Sequence, residues 1–264
     1  MRRIIKRIVP GFIINFITGL FYGWQGDYNT WAEAKSKCSG YDSPIILEKV
    51  KESALKVKNG QAAFERDSVT FDKPEYSFQL FSSLLWAASL NNGNLNVMDF
   101  GGSLGSTYFQ NSGILDTFDN LNWCIVEQTN YTDAGNAHFS SEQLHFFNSI
   151  NKCYKSYKID IVLLSSVLQY IEKPYNLLDE LIAFKPAFIF IDRTPFIDND
   201  DRITIQNVHP KIYKASYPCW FFNKKKFMEY MSQQYELIFE FDALDKANIK
   251  SEFKGFLYKL RTNR

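Results

Sequence analysis

The feature that most constrains the fold is the stretch 96–105, in which an apolar run ends in an acid and glycines follow at positions 101, 102 and 105. A turn that needs positive φ angles favours glycine, and bare backbone lets a ligand approach closely. Residues 106–113 are suited to begin a helix. The order of these segments predicts a strand, a tight turn and a helix, which is the opening unit of a doubly wound α/β sheet.

The spacing of the glycines discriminates between cofactors. A dinucleotide fingerprint that begins at Gly101 would need glycines at the positions of Ser103 and Ser106. The acid-x-Gly-x-Ser-x-Gly pattern that starts at Asp99 and ends at Gly105 instead resembles the first motif of class I S-adenosylmethionine (SAM) dependent methyltransferases, with serine in place of the middle glycine. We therefore interpret this loop as a SAM-binding element.

The chain after residue 91 alternates between strand and helix patterns, as a parallel sheet with right-handed crossovers requires. The predicted parallel strands are 96–100, 122–126, 144–147, 159–164 and 187–191, the last closed by 192–195, and two later strands are 235–241 and 253–260. The short connection between the later two suits an antiparallel pair. Residues 196–220 are interpreted as a long connection. The predicted fold class is α/β, with the Rossmann-like sheet of class I methyltransferases.

Three segments are expected along the chain. They are a basic and apolar N-terminal segment at 1–20, a helical extension at 21–90 and a SAM-binding Rossmann-like methyltransferase domain at 91–264. Within the extension, the periodicity of apolar residues predicts helices at 45–58 and at 76–90. The second of these is apolar enough throughout to be a buried helix. The extension is expected to cover one side of the core domain.

A set of short motifs resembles one group within this superfamily, the SAM-dependent methyltransferases encoded in bacterial surface-polysaccharide clusters. The resemblance covers nearly everything from Gly26 onward. Its motifs begin at Gly26, Gly40, Glu65, Asp99, Val126, Ser165, Asp192 and Tyr217, and they include Glu65-Arg66-Asp67-Ser68 and Ser165-Ser166-Val167-Leu168-Gln169-Tyr170. The resemblance implies the fold and SAM as cofactor, and it suggests a glycan as acceptor, although fold alone does not fix a substrate.

Candidate cofactor residues lie where the predicted strands end. Glu127 ends the second strand, where a doubly wound fold hydrogen-bonds the hydroxyl pair of a ribose, and a carboxylate can accept both hydrogen bonds. The Asn148 amide, just past the third strand, is placed to read the adenine amine. The predicted cofactor-binding residues are Asp99, Gly101, Gly102, Ser103, Gly105, Glu127, Gln128, Asn148, Ser165 and Ser166.

Methyl transfer is an in-line displacement in which the enzyme aligns donor and acceptor, and a sugar hydroxyl also needs a base. His209, in the connection after the fifth strand, is the candidate base because an unperturbed histidine has its pKa near neutrality. Asp192 and Arg193, at the end of that strand, are candidates to orient the acceptor or to neutralise an anionic one. Candidates to line an acceptor pocket are Tyr170, Gln206, Tyr213, Tyr217 and Trp220. Structural packing is an equal alternative for these five.

We predict an O-methyltransferase that acts on a surface glycan, such as O-antigen or capsule, or on its nucleotide- or lipid-linked sugar precursor. Methylation of a small molecule or lipid-linked intermediate is an alternative that the basic N-terminus would favour. A catalytically silent SAM-binding scaffold in a biosynthetic complex is an alternative of another class. The serine at position 103 and the lack of a certain base keep that alternative open.

Charge and cysteine content limit the partners and the location. The net charge of +1 and the pI near 7.6 provide no basic field of the kind that nucleic-acid binding uses. The widely spaced cysteines fit reduced thiols in a cytosolic protein. The apolar part of 1–20 is too short to span a bilayer, so this segment either attaches to the inner face of a membrane or packs on its own domain. No metal is predicted, because the acidic loop 198–201 lacks the pattern of a calcium loop.

Overall fold

The computed structural model describes residues 22–40, 44–66, 68–73, 75–210, 212 and 214–262, so the N-terminal segment 1–20 lies outside the described part. The first elements are β1 (Gly23–Tyr28), α1 (Trp31–Ser36), α2 (Pro44–Lys58), β2 (Phe64–Arg66), β3 (Val69–Phe71) and α3 (Phe78–Ser89). Next come β4 (Asn94–Phe100), α4 (Ser106–Leu115), β5 (Asn120–Val126), α5 (Thr129–His138), β6 (Leu144–Phe147), α6 (Ile150–Ser156), β7 (Ile161–Ser165), a 3₁₀ turn (Leu168–Tyr170) and α7 (Pro174–Ala183). The last are β8 (Phe188–Ile197), β9 (Arg202–Asn207), β10 (Ser216–Asn223), α8 (Lys224–Ser232), β11 (Tyr235–Asp242) and β12 (Glu252–Leu260).

The central sheet has the strand order β6-β5-β4-β7-β8-β12-β11. Neighbours from β6 to β8 are parallel, whereas β12 runs antiparallel to both β8 and β11. This arrangement confirms the predicted α/β fold, with five parallel strands closed by an antiparallel pair as in class I methyltransferases. Apart from the carboxyl end of the fifth, the predicted strands coincide with the observed ones within the usual uncertainty of strand ends.

Strand β7 shows why the parallel strands form. Its residues Ile161, Val162, Leu163 and Leu164 are fully buried, because the layers on both faces of the sheet cover them. Ile161 and Leu163 pack in the same layer as Trp123, whereas Val162 and Leu164 pack in the layer on the opposite face. A strand in this position must therefore be continuously apolar.

A second, antiparallel sheet extends from the carboxyl end of β8. Strand β9 pairs with β10 and with β1, and β10 joins β8 at Phe196 and Ile197. The prediction that 192–195 close the fifth strand is therefore wrong, as is the interpretation of 196–220 as a connection. The physical reason is that β9 pairs not only with its neighbour β10 but also with β1, which lies far away in the chain and which local sequence patterns do not reveal.

Strand β8 carries a β-bulge where the two sheets meet. Its residues Asp192 and Arg193 lie opposite the single residue Gly255 of β12. Arg193 has the left-handed φ of +53° in this bulge, an uncommon conformation for a residue other than glycine. Because bulges redirect side chains and are frequent beside active sites, the junction of the two sheets is a candidate location for chemistry.

The region before residue 91 contains the short helix α1, the two helices predicted at 45–58 and 76–90, and three strands that the sequence did not indicate. In α2, Ile46, Val50 and Ala54 are buried, as the periodicity predicts. The next predicted helix, α3, is buried on one face and not all round, since Phe78 is 77% exposed and Leu85 is 54% exposed. One face of α3 packs on the sheet, and these side chains lie on another. In the described part of the chain, no helix is both long and apolar enough to cross a membrane.

Two helical glycines provide a matched test of the packing. A Cβ on Gly135 in α5 would lie 2.3 Å from Cδ1 of Phe146, whereas a Cβ on Gly113 in α4 would meet open space. We expect Gly135→Ala to lower the free energy of unfolding by about 1–3 kcal/mol through overpacking. We expect Gly113→Ala to raise it by about 0.5–1 kcal/mol, because alanine is the better helix former. Urea denaturation measures both, and an undiminished stability of Gly135→Ala would contradict the packing of α5 on β6.

Candidate functional site

The topological switch point of the parallel sheet lies beyond the carboxyl ends of β4 and β7, which is where a sheet of this kind is expected to have its crevice. From β4 the chain builds β5 and β6 on one side and then returns to build β7 and β8 on the other. Open α/β sheets bind ligands at such a topological switch point. The glycine loop 101–105 follows β4, and the turn 166–167 follows β7. The two are adjacent, because a Cβ on Gly101 would lie 2.5 Å from Cγ2 of Val167.

The glycine loop has a backbone conformation that its sequence explains. Gly101 and Gly105 have φ angles of +73° and +96°. Gly102 has no space for a side chain, since its Cβ would lie 2.5 Å from Cγ of Asp99. Ser103, which occupies the place of the middle glycine, has a φ of +55° at a cost on the order of 1 kcal/mol. The loop thus brings backbone free of side chains to the crevice, directly before the first turn of α4.

Asp99 supports this loop from the end of β4. Its side chain is buried against Gly102, and its Oδ2 accepts a hydrogen bond from Nε1 of Trp123 at 3.2 Å. Burial raises the pKa of Asp99 to about 7; the hydrogen bond from Trp123 opposes this rise, and the charge of Glu127 adds to it. The geometry shows Asp99 fixing the loop, while its predicted contact with a cofactor stays a prediction.

Glu127 follows the carboxyl end of β5, as the sequence predicts. It is half-buried, and its side chain accepts hydrogen bonds from the backbone N–H groups of Gln128, at 2.8 Å, and of Ser103. Burial raises the pKa of Glu127, and these two hydrogen bonds oppose the rise. The glycine loop and Glu127 therefore form one continuous site. Gln128 and Asn148, the latter just after β6, are exposed.

Polar residues on the other side of the crevice meet where β7 and β8 lie side by side. Ser165 pairs with Asp192 across the two strands, and the N–H of Ser166 donates to the Asp192 carbonyl at 2.9 Å. The buried Gln169 donates through Nε2 to Oγ of Ser166 at 3.2 Å and to the carbonyl of Arg193 at 3.1 Å. Because Ser166 and Arg193 both have a φ of +53°, one amide group holds two strained backbone turns together.

Asp192 and Arg193 have different electrostatic partners. Burial raises the pKa of Asp192 to about 6; the backbone N–H and the charge of Arg193 oppose this rise, as does the charge of Arg66, whereas Asp245 adds to it. Arg193 forms a bidentate ion pair with Asp245, with distances of 2.8 Å from Nε to Oδ2 and 2.9 Å from Nη2 to Oδ1. An anionic acceptor would have to compete with Asp245 for Arg193. Asp192 has a pKa suited to accepting a proton near neutral pH.

Three of the predicted acceptor residues lie together beside this group. Oη of Tyr170 donates to Oε1 of Gln206 at 2.7 Å, and the ring of Tyr170 meets that of Tyr217 edge-on, with centroids 5.1 Å apart. Tyr217 pairs with Gln206 across β9 and β10. The 3₁₀ turn after β7 is thereby joined to the second sheet. Tyr213 lies outside the described residues.

The remaining two predicted residues lie in other surroundings. Trp220 stacks on Trp31, with ring centroids 5.9 Å apart, and donates Nε1 to the carbonyl of Ile171 at 3.1 Å. Both contacts are those of a packing residue. His209 lies in the connection between β9 and β10, with its ring centroid 4.7 Å from that of Tyr22. Its role as a base stays a prediction.

Sequence reasoning did not select four side chains that the structure brings to the crevice or its edge. The motifs on which the family resemblance depends contain three of them, Gln169, Glu65 and Arg66. Membership of these motifs was therefore the sequence signal that could have identified the three residues. Glu65 is buried and accepts a hydrogen bond from the hydroxyl of Ser106. Asp245 reaches Arg193 from the connection between β11 and β12, which only tertiary structure reveals.

The acidic loop after β8 has a structural function. The Asp201 carboxylate accepts the backbone N–H of Asn223 at 2.6 Å and pairs with Lys226, and the Asn223 amide donates to the carbonyls of Asp198 and Asn199. These contacts hold the amino end of α8. Within the ranges that the structure describes, no group of three or more histidine, cysteine, aspartate or glutamate side chains is placed to hold a metal ion.

No protein-family model matches the chain, and no curated protein matches it. Solved structures with a similar fold include the N-terminal domain of EvdMO1 with SAH bound, at 11% identity over 81% of this chain and 97% of that chain, with a TM-score of 0.47. Burkholderia thailandensis 1,6-didemethyltoxoflavin-N1-methyltransferase is 10% identical over 85% of this chain and 95% of that one, with a TM-score of 0.46. Magnesium protoporphyrin IX methyltransferase from Synechocystis PCC 6803 is 10% identical over 81% and 97%, also with a TM-score of 0.46. The assignment of the fold class rests on the strand order of this chain and not on these similarities.

The raised pKa of Asp99 predicts a specific pH dependence of stability. The folded protein keeps the Asp99 proton to about pH 7, whereas the unfolded chain loses it near pH 4, so raising the pH between these values favours unfolding. We expect this group to lower the free energy of unfolding by about 2 kcal/mol between pH 5 and pH 8. The free energy of unfolding of Asp99→Asn, measured by denaturation, should not show this part of the decline with pH. That of Asp119→Asn, a substitution at an exposed position, should decline as the wild type's does. Equal declines in all three proteins would contradict the assignment.

Proposed function

We propose that this protein is a SAM-dependent methyltransferase. The observation that supports this proposal is the continuous site that the glycine loop and Glu127 form at the switch point of the sheet. The Ser103 N–H orients the Glu127 carboxylate from the loop side, and a carboxylate so placed can accept both hydroxyl groups of a ribose. Backbone without side chains at Gly101 and Gly102 suits the close approach of the methionine part. The residues present therefore fit SAM.

SAM, when bound, supplies a methyl group on a positively charged sulfonium. The task of the protein is then to hold the acceptor in line and to remove its proton. Asp192 is the base in this proposal, because it lies at the carboxyl end of the parallel part of β8 and has its pKa raised to about 6. The turn fixed by Gln169 orients the backbone on both sides of Asp192. His209 is the second candidate for this role.

The proposed acceptor is a sugar hydroxyl of a surface glycan or of its precursor. Tyr170, Gln206 and Tyr217 form a wall of aromatic rings and an amide beside the Asp192 group. Aromatic faces pack on the apolar face of a sugar, and an amide group both donates to and accepts from hydroxyls. Oε1 of Gln206 already accepts from Tyr170, which orients its Nε2 as a donor for an acceptor oxygen.

The cofactor part of the proposal is tested by calorimetry with SAM and S-adenosylhomocysteine (SAH). We expect the wild type to bind both ligands and Glu127→Gln to weaken the binding about tenfold, because a charged acceptor for two hydroxyl groups is replaced by a neutral one. Glu142→Gln, at an exposed position after α5, is the matched control and should bind as the wild type does. A wild type that binds neither ligand would overturn the proposed function.

The acceptor and the base are tested with methyl-labelled SAM and a panel of nucleotide sugars and oligosaccharides, with mass spectrometry as the readout. The rate should rise with pH through about 6 and then level off, because Asp192 acts only after it has lost its proton. Asp192→Asn should lower the turnover number at least a hundredfold while the affinity for SAH stays within twofold.

Two outcomes would change this mechanism. If His209→Ala loses turnover and Asp192→Asn retains it, the base is His209. If the label enters only small non-sugar acceptors, the glycan assignment fails while the methyltransferase assignment remains.

A further inference from the structure

The hairpin of β2 and β3 lies outside the central sheet, yet it contacts the amino end of α4 and carries a charge that acts on the Asp192 group. Glu65 in β2 accepts a hydrogen bond from the hydroxyl of Ser106, the first residue of α4. The next residue, Arg66, is close enough for its charge to act on the Asp192 carboxyl at the end of β7 and β8. The function proposed above assigns neither residue a role. The hairpin thus contacts the glycine-loop side of the site through Glu65 and influences the Asp192 side through the charge of Arg66.

The Glu65 carboxyl group is held firmly in place. It is 4% exposed, and besides the Ser106 hydroxyl it accepts the backbone N–H of Ser68 at 3.2 Å. The carboxylate also lies at the amino end of α4, where the helix dipole favours a negative charge. These contacts hold the Glu65 carboxyl group next to the glycine loop.

The position of Glu65 matches one part of the ligand that the loop is proposed to hold. Ser106 directly follows Gly105, so Glu65 lies beside the loop assigned to the methionine part of SAM. That part ends in a carboxylate and an ammonium group. Backbone N–H groups of the loop suit the carboxylate, whereas an ammonium group needs an anionic partner, and charge-assisted hydrogen bonds of this kind are the strong ones.

We propose that the β2–β3 hairpin is part of the cofactor site and that the Glu65 carboxylate binds the α-ammonium group of the methionine moiety. This inference rests on the proposed function, since it assigns a ligand group within the same site. It gives a role to the Glu65-Arg66-Asp67-Ser68 motif. If Glu65 only fastened the hairpin to α4, its substitution would affect a ligand that has the ammonium group and a ligand that lacks it to the same extent.

The test compares SAH with its deamino analogue, in which hydrogen replaces the ammonium group, by calorimetry on the full chain. The wild type should bind SAH at least tenfold more tightly than the analogue. Glu65→Gln should weaken SAH about tenfold and change the affinity for the analogue by less than twofold, so that the preference disappears. Glu127→Gln is the control, because both ligands contain the ribose and should be weakened by the same factor.

The outcomes separate this inference from the proposed function. Equal weakening of both ligands by Glu65→Gln, or no weakening of either, would overturn the inference and leave Glu65 with a structural role. A wild type that does not distinguish the two ligands would overturn it as well. If the wild type binds neither ligand, the proposed function itself fails. Thermal unfolding of each variant shows whether it is folded, and the affinity for the analogue serves as an internal measure of an intact site.

Discussion

The backbone hydrogen bonds of β8 are the constraint on which the rest of the structure depends. This strand pairs with β7 along one edge and with β12 along the other, and beyond Asp192 and Arg193 it pairs with β10. In a regular strand the side chains would alternate strictly from one face to the other along its whole length. The extra residue opposite Gly255 breaks that alternation, so the same strand can serve the parallel sheet before the bulge and the second sheet after it. The position of the crevice relative to the second sheet follows from this irregularity.

Three carboxyl groups lie at or beneath the candidate site, and burial raises the pKa of each of them: Asp99, Glu127 and Asp192. A raised carboxyl pKa means that the fold holds the ionised group at an electrostatic cost. A ligand with positive charge would reduce this cost, because it favours the ionised form of each group. Such surroundings lower the stability of the ligand-free protein, but they are therefore suited to a cationic ligand. Local losses of stability of this kind are expected at functional sites. This reasoning agrees with the proposed sulfonium cofactor.

Local sequence signals were sufficient for the parallel sheet and for the position of Glu127 at the end of its second strand. The apolar run 161–164 can only be a strand buried on both faces, and the position of Glu127 follows once its strand is recognised. The second sheet escaped prediction because Ile203 and Ile205 of β9 form too short an alternation in a polar segment, and because one partner strand, β1, lies near the start of the chain. Trp220 was a candidate to line an acceptor pocket, with packing as an equal alternative, and its observed contacts come from α1 and from the segment after the 3₁₀ turn, which are remote in sequence.

The 3₁₀ turn after β7 couples the two parts of the candidate site. Gln169 is bonded to Ser166 and Arg193 on the side of the parallel sheet, whereas the next residue, Tyr170, is bonded to Gln206 in the second sheet. Because adjacent residues of one short turn contact the two sheets, a shift of the second sheet must also move the turn that fixes Asp192. Methyl transfer depends on alignment, so the contacts of this turn set the geometry of the proposed reaction more directly than either sheet does. The glycine loop can determine which cofactor binds, but the identity of the acceptor depends on the turn and on the strands that it joins.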